Sequence, residues 1–173
     1  MAWTAPDTDR RSFLLTGDER AMLQSFLDRS RDTLLWKCQG LTGIQLATRS
    51  VEPSSMSLLG LLRHMTEVER GWFRQKGAGE RVPYAYCSET NPDGDFDDVD
   101  AAAAEADYAR YLEETALCDK AVAALPLDHV VAHPHTGRDI SLRWIYLHMI
   151  EEYSRHNGHA DLLRERVDGD TGY

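Results

Sequence analysis

The sequence predicts an all-α fold, a four-helix bundle with long crossover loops. Four segments of the 173-residue chain repeat apolar residues at helical spacing, and glycine or proline follows each of them. The connections between these segments are longer than is usual in a compact bundle. No internal repeat or low-complexity tract divides the chain, so residues 1–173 are expected to form a single domain.

The first two helices are predicted from their boundary residues and their apolar stripes. The first is expected from Asp18 to Gln39, because Thr16 and Glu19 have capping-box spacing and Gly40 supplies a stop. The second is expected from Ser57 to Lys76. The predicted inward stripes are Leu23, Leu27, Ser30, Leu34 and Cys38 in the first helix, and Leu58, Leu61, Met65, Val68 and Trp72 in the second.

The third and fourth helices are predicted in the same way. The third is expected from Val99 to Leu125, where Pro126 prevents continuation. The fourth is expected from an N-cap at Ser141 to Val167, with Gly169 just beyond. The predicted inward stripes are Tyr108, Leu112, Thr115, Cys118 and Val122 in the third helix, and Leu142, Ile145, Met149, Tyr153, Ala160, Leu163 and Val167 in the fourth.

Two of the connections carry polar motifs. The link between the third and fourth helices contains Val130 to Ala132 and His135 to Arg138, a pattern that suggests a small hairpin. Its histidines are His129, His133 and His135, and the His-x-His pair could bind a metal, but we interpret them as polar loop residues. The acidic run from Glu89 to Asp100 loosely resembles a calcium loop, but Pro92 interrupts it. We therefore interpret this run as a solvated acidic loop that caps the third helix.

Charge and composition exclude several classes of protein. The net charge of −10 argues against non-specific binding to nucleic acid or to an anionic membrane. No apolar run approaches membrane-spanning length, and the N-terminus lacks a signal-peptide pattern, so a cytoplasmic protein is expected. The scattered cysteines, Cys38, Cys87 and Cys118, are expected to be reduced thiols.

Four potential metal ligands lie on one side of the fourth helix. They are His148, Glu152, His156 and His159, and at 100° per residue they fall within an arc of about 80°. Glu152 and His156 lie inside or beside the apolar stripe, where a carboxylate is costly unless it is neutralised, paired or bound to a cation. The strip is therefore either a metal site or a set of edge residues that satisfy one another.

His64 on the second helix is a candidate for a third ligand. A lone histidine at the border of an apolar stripe is more often packed and hydrogen-bonded, but bundle metal sites are built from facing helices. With Glu152 and His156 it would form a two-histidine, one-carboxylate set. Such a set suits zinc, nickel or iron and leaves positions open for water or substrate. His148 and His159 remain alternates or outer groups.

The segments around these residues resemble the DinB-like superfamily, in its branch of "mini-circle"-type proteins. The resemblance rests on residues 61–73 and 148–165 and extends over nearly the whole chain. It implies a four-helix bundle that holds a divalent metal with His64 and an i, i+4 pair on the fourth helix. In many members both residues of that pair are histidines. Here the first is Glu152 and the second is His156, as in mycothiol-dependent isomerase relatives.

The same resemblance implies a function. We expect a metal-dependent enzyme, a thiol-dependent transferase (or hydrolase) that acts on a small molecule. It would carry zinc or nickel and use mycothiol or bacillithiol, with the ion lowering the pKa of a thiol or of water. Candidate helper residues are Tyr153, Arg155 and Glu69. The alternative is a non-catalytic metal-binding protein, or a homodimeric interaction or stress protein.

Overall fold

The structure, a computed structural model, describes residues 3–171 of the chain. Within these residues, long helices pack side by side as a four-helix bundle, as the sequence predicts. Shorter helices and a small hairpin lie in the connections. The elements are α1 (Glu19–Cys38), α2 (Gly43–Ala47), α3 (Leu58–Glu69), a π-helix (Arg70–Gly77), α4 (Gly94–Asp97), a 3₁₀ turn (Ala101–Ala103), α5 (Ala104–Val122), β1 (Val130–Ala132), β2 (Asp139–Ser141) and α6 (Leu142–Asp168).

Helices α1 and α6 run in the same direction along one side of the bundle. Arg143 at the start of α6 pairs with Glu19 at the start of α1, at 2.5 Å. Lys37 near the end of α1 pairs with Asp161 near the end of α6, at 2.6 Å. The first contact joins the starts of the two helices and the second joins their ends, so the two helices are parallel.

Helices α3 and α5 form a second parallel pair, which explains the longest connection in the chain. Arg63 pairs with Asp107 at 3.2 Å, and Arg70, just after α3, pairs with Glu114 further along α5. Two parallel neighbours cannot be joined by a short turn, because the chain must return along the length of a helix. Residues 78–103 make this return, so the predicted long crossovers are confirmed.

The predicted boundaries agree with the structure within about one residue for the first, second and fourth helices. The third helix is shorter than predicted, since α5 spans Ala104–Val122. Ser141 caps α6 and Gly169 ends it in the left-handed conformation, at φ 83°. The residue that caps α1 is Asp18, whose side chain accepts from the backbone N–H of Ala21 at 3.0 Å. The capping box predicted at Thr16 is therefore wrong.

The second predicted helix changes character after Glu69. Residues 58–69 form an α-helix, and Arg70–Gly77 continue as a π-helix. A π-helical turn holds more residues than an α-helical turn, so it rotates the side chains that follow it. In this segment Phe73 points into the core against Tyr146, and Trp72 lies half-buried beside α6.

The inward face of α5 is rotated from the predicted stripe. Leu112, which was predicted to be buried, is 45% exposed, whereas Tyr111 and Glu114 are buried. Tyr111 faces inward because its hydroxyl bonds with that of Tyr153, at 2.8 Å. Glu114 is buried because Arg74 donates to it at 2.9 Å and offsets the cost of burying its charge.

The hairpin predicted between the last two long helices is confirmed. Strands β1 and β2 pair antiparallel, with Val131 opposite Ile140. Ile140 and Val131 pack against the edge of the core. Across residues 3–171, none of the helices is long and apolar enough to cross a membrane.

Candidate active site

The residues predicted as metal ligands come together where α3 packs against α6. The two helices are antiparallel, so His64 lies opposite the C-terminal half of α6. The ring centroids of His64 and His156 are 4.7 Å apart. Glu152 lies one turn before His156 on α6, and its Oε2 is 3.4 Å from His156 Nε2. The structure therefore brings His64, Glu152 and His156 into one group.

A fourth side chain, Asp95, completes this group from the long connection. Asp95 Oδ2 lies 2.7 Å from His64 Nδ1, and only 6% of the Asp95 side chain is exposed. A carboxylate can only accept, so Nδ1 carries a proton, and in the neutral form of the ring Nε2 has the lone pair. A carboxylate behind a histidine is the usual way to orient a metal-binding imidazole.

Arg63 holds Asp95 in place. Its guanidinium donates to the backbone carbonyls of Asp95 and Gly94, at 3.0 and 2.8 Å. Phe96 packs on the His64 ring, with centroids 5.0 Å apart. The interpretation of this acidic run as wholly solvated is wrong at Asp95. Asp100, in contrast, caps the 3₁₀ turn before α5 as predicted, accepting from Ala102 N–H at 2.9 Å.

His156 lies in an environment that keeps its ring neutral. Burial, together with the neighbouring His64 and His159, lowers the pKa of His156 to about 4. Its Nδ1 is 3.4 Å from Nδ1 of His159, and its Nε2 faces Glu152. A neutral imidazole is the form that can coordinate a metal ion.

His148 and His159 flank the group on α6. His148 Nε2 is 3.6 Å from Glu152 Oε1, so Glu152 lies between two imidazoles. His159 contacts His156 instead. As the side chains are placed, residues 3–171 contain no group of three or more His, Cys, Asp or Glu that already has the geometry to hold a metal ion.

The candidate helper residues divide into a buried pair and an exposed cation. Glu69 is fully buried and receives two hydrogen bonds from Arg31, at 2.7 and 2.8 Å. Tyr153 donates to the same carboxylate at 2.8 Å. Arg155 is 59% exposed and pairs with Glu151 at 3.8 Å. Tyr153 and Glu69 therefore brace the helices behind the site.

An aromatic cluster, defined here as Trp72, Trp144, His133 and His148, continues from the site toward the N-terminal end of α6. The His148 ring stacks on Trp144 with centroids 4.9 Å apart and an interplanar angle of 12°. Trp72 meets His148 edge-on at 4.6 Å. His133 from the hairpin contacts both tryptophans. The loop histidine His133, interpreted from the sequence as a polar loop residue, is in fact packed.

The cysteines do not supply a nucleophile. Burial raises the pKa of Cys38 to about 12 and that of Cys87 to about 11, and it raises the pKa of Cys118 as well. All three are free thiols, as expected from the sequence. A thiol with so high a pKa stays protonated at neutral pH and reacts poorly. The raised pKa values therefore do not favour any of these cysteines as a nucleophile.

Asp95 and the aromatic cluster are the parts of the site that sequence reasoning missed. Asp95 stands among several acidic residues in a long connection, and no spacing rule singles it out. Trp144 had a usable signal, because it precedes His148 by four residues and therefore shares its face of the helix.

Comparison with known families identifies the family of this chain. Searches of the curated proteins and of the solved structures returned no match. The family model described as "Mycothiol-S-transferase" matches residues 22–169, which includes α3, α5, α6 and every residue of the group described above. This match covers well over half of the chain and agrees with the predicted DinB-like resemblance. The chain belongs to the mycothiol-S-transferase family, a DinB-like metalloenzyme family.

Proposed function

We propose that this protein joins mycothiol, through its thiol, to a small electrophilic molecule. The reaction would take place at a divalent metal site formed by His64, Glu152 and His156. Membership of the family supports a thiol-dependent transferase that acts on small molecules. The observation that carries the finer proposal is the approach of His64, braced by Asp95, to the i, i+4 pair on α6.

The donor set fits a divalent ion of borderline softness. Two imidazoles and one carboxylate, on facing helices, are a set found with zinc and nickel, and they leave coordination positions open. His148 and His159 are each one contact away and act as alternates or outer groups. When bound, such an ion lowers the pKa of a coordinated thiol or water, so that the nucleophile forms at neutral pH.

Each protein residue has a separate task in this proposal. Asp95 holds the proton on His64 Nδ1 and so fixes the ring with Nε2 free. Burial keeps the His156 ring neutral and therefore available to coordinate a metal ion. Glu152 places a negative charge between two histidines.

The balance of the reaction follows from the cysteine chemistry. Burial raises the pKa of each of the protein's own thiols, which supports the small thiol as the source of the sulfur. A carbon–sulfur bond forms as the thiol proton leaves to solvent. From an alkyl halide, the halide departs with its bonding electron pair. With an epoxide, the ring C–O bond breaks and the oxygen, which stays on the product, takes up a proton from solvent. No oxidant or reductant is required.

Metal content tests the site, and turnover tests the activity. We expect one equivalent of zinc or nickel in the purified protein by elemental analysis. His64→Ala and His156→Ala should lose it while the helical circular dichroism stays unchanged. His129→Ala, on the neighbouring loop, is the matched control and should keep the metal.

Turnover is measured with mycothiol and bacillithiol side by side, against an alkyl halide or an epoxide. We expect thioether formation with mycothiol, lost in His156→Ala and kept in His129→Ala. A folded wild-type protein without stoichiometric metal would overturn the site. A metal-loaded protein that gives no turnover with either thiol would overturn the transferase activity and leave a metal-binding protein.

A further inference from the structure

A cavity of about 480 Å³ lies beyond the aromatic cluster, between the hairpin and the start of α6. Trp144 forms part of its wall and is 36% exposed, so a ligand can reach the indole. His148 stacks on Trp144 but does not line the cavity, which therefore lies against the rest of the indole. The polar side chains that line the cavity are His133, Thr136, Arg138, Asp139 and Ser141.

The cavity is connected to the candidate metal site by a row of side chains on α6. Trp144, His148, Glu152 and His156 follow one another at intervals of four residues and share one face of the helix. His148 touches both neighbours, stacking on Trp144 and facing Glu152 at 3.6 Å. At 1.5 Å per residue, Trp144 is about 12 Å from Glu152 along the helix and about 18 Å from His156. An extended molecule could therefore have its reactive end at the candidate metal site and its remainder in the cavity.

The lining of the cavity indicates what that remainder would be. An exposed indole offers a flat apolar face with a negative quadrupole, which attracts the C–H face of a saturated ring. The hydroxyl oxygens of Thr136 and Ser141 accept from the backbone N–H groups of Arg138 and Trp144, at 3.4 and 3.2 Å, and their O–H groups can donate to a ligand. The charges of Arg138 and Asp139 are opposite, so the rim favours a neutral, hydroxyl-rich group over an ion of either sign.

We propose that this cavity binds the hydroxylated ring portion of the thiol cofactor, with Trp144 as its platform. The inference rests on the proposed function, which places the thiol end near Glu152 and His156. Mycothiol has this chemistry, since its cysteinyl thiol is attached to an amino sugar joined to inositol. Trp144 thus selects a carrier-bound thiol over a simple one, and it is a binding residue rather than a catalytic residue.

Two measurements test the cavity separately from the reaction. The first is calorimetric titration of the metal-loaded protein with glucosaminyl-inositol, the carrier without its cysteinyl arm. We expect Trp144→Ala to weaken this binding about tenfold or more, because truncating a central aromatic anchor has effects of that size. Trp144→Phe should restore most of it. Trp36→Ala, which removes a half-buried tryptophan on α1, is the matched control and should bind as the wild type does.

The second measurement compares mycothiol with N-acetylcysteine as the thiol substrate. We expect Trp144→Ala to raise KM for mycothiol about tenfold with little change in kcat, and to leave both constants for N-acetylcysteine unchanged. A residue that only supported the fold would affect both thiols equally.

The outcomes separate the two proposals. If the carrier does not bind the wild type, or binds Trp144→Ala equally well, the cavity assignment is overturned while the transferase activity stands on its own assay. If the carrier binds through Trp144 but mycothiol is not turned over, the cavity assignment is supported and the transferase proposal fails.

Discussion

Tyr153 donates its hydroxyl hydrogen bond to Glu69 at 2.8 Å, in a part of the core where neither side chain is exposed to solvent. Tyr153 is on α6 between Glu152 and His156, and Glu69 ends α3 five residues after His64. The bond therefore joins the two helices that carry the candidate ligands, next to those residues. Arg31 from α1 neutralises Glu69, and Tyr111 from α5 bonds with Tyr153, so all four long helices meet at this network.

We predict that Tyr153→Phe lowers the free energy of unfolding by about 1–3 kcal/mol, since it takes hydrogen-bond partners from buried polar groups. Urea denaturation measures the change. Tyr84→Phe is the control, because Tyr84 is 60% exposed, and it should shift stability by less than about 0.5 kcal/mol. Equal stability of Tyr153→Phe and the wild type would mean that Glu69 does not depend on this bond.

Removing the cation from the same network should cost more. We predict that Arg31→Met destabilises the protein by about 3–5 kcal/mol, because it leaves the buried Glu69 carboxylate without its counter-charge. Adding Glu69→Gln to this variant should recover part of the loss. A double variant that is less stable than Arg31→Met alone would contradict this account.

Asp95 gives a prediction about metal affinity. Asp95→Asn replaces the charged carboxylate that accepts from His64 Nδ1 with a neutral, weaker amide acceptor, so we expect metal affinity to fall about 10–100-fold with the fold retained. Competition with a chromophoric chelator measures it. Asp97→Asn, on the same short helix but 57% exposed, should leave affinity unchanged. If Asp95→Asn bound the metal as tightly as Asp97→Asn and the wild type, Asp95 would be excluded as an orienting group.

Two glycines should respond in opposite ways to substitution by alanine. A Cβ at Gly158, in the middle of α6, would meet no atom within 4 Å, so Gly158→Ala should stabilise the protein by about 0.5–1 kcal/mol. A Cβ at Gly43 would overlap the backbone carbonyl oxygen of Ala101, so Gly43→Ala should destabilise it. Thermal unfolding of both variants checks the contrast, and the same sign for both would contradict it.

Glu114 gives a prediction about pH. Burial would raise the pKa of this carboxyl, but hydrogen bonds from Arg70 and Arg74 outweigh burial and hold the pKa below its usual value near 4.5. A depressed pKa adds stability above the unfolded-state pKa, and that stability is lost as pH falls through the folded-state pKa. The wild type should therefore have a larger free energy of unfolding than Glu114→Gln at pH 6, and this difference should shrink toward pH 3. Urea denaturation across this range tests it, and a constant difference would contradict it.

The long helices and the ligand strip on α6 could be predicted because they depend on local spacing. His148, Glu152, His156 and His159 share a face of any α-helix that contains them, whatever packs against it. Ser141 and Gly169 delimit α6 through local backbone chemistry. Recognition of the family rested on the same contiguous segments, and it is confirmed by the family match.

The stripe of α5 shows where local patterning stops being sufficient. Hydrophobicity favoured Leu112 as the inward residue, but Tyr111 and Glu114 are buried because partners on other helices complete their hydrogen bonds. Periodicity ranks residues by their own polarity. It contains no information about a distant arginine or tyrosine that offsets the free-energy cost of burying a polar side chain.

By itself, the sequence determined the helical class, the long crossovers and the residues of α6 that are able to bind a metal, since each follows from spacing within one segment. Only the tertiary structure decided that Asp95 backs His64, that Glu69 joins Arg31 and Tyr153, and that Trp72 meets Trp144 and His148. These pairs are separated by tens of residues along the chain. Their contacts exist because packing lowers the free energy of the whole bundle, which no single segment can show.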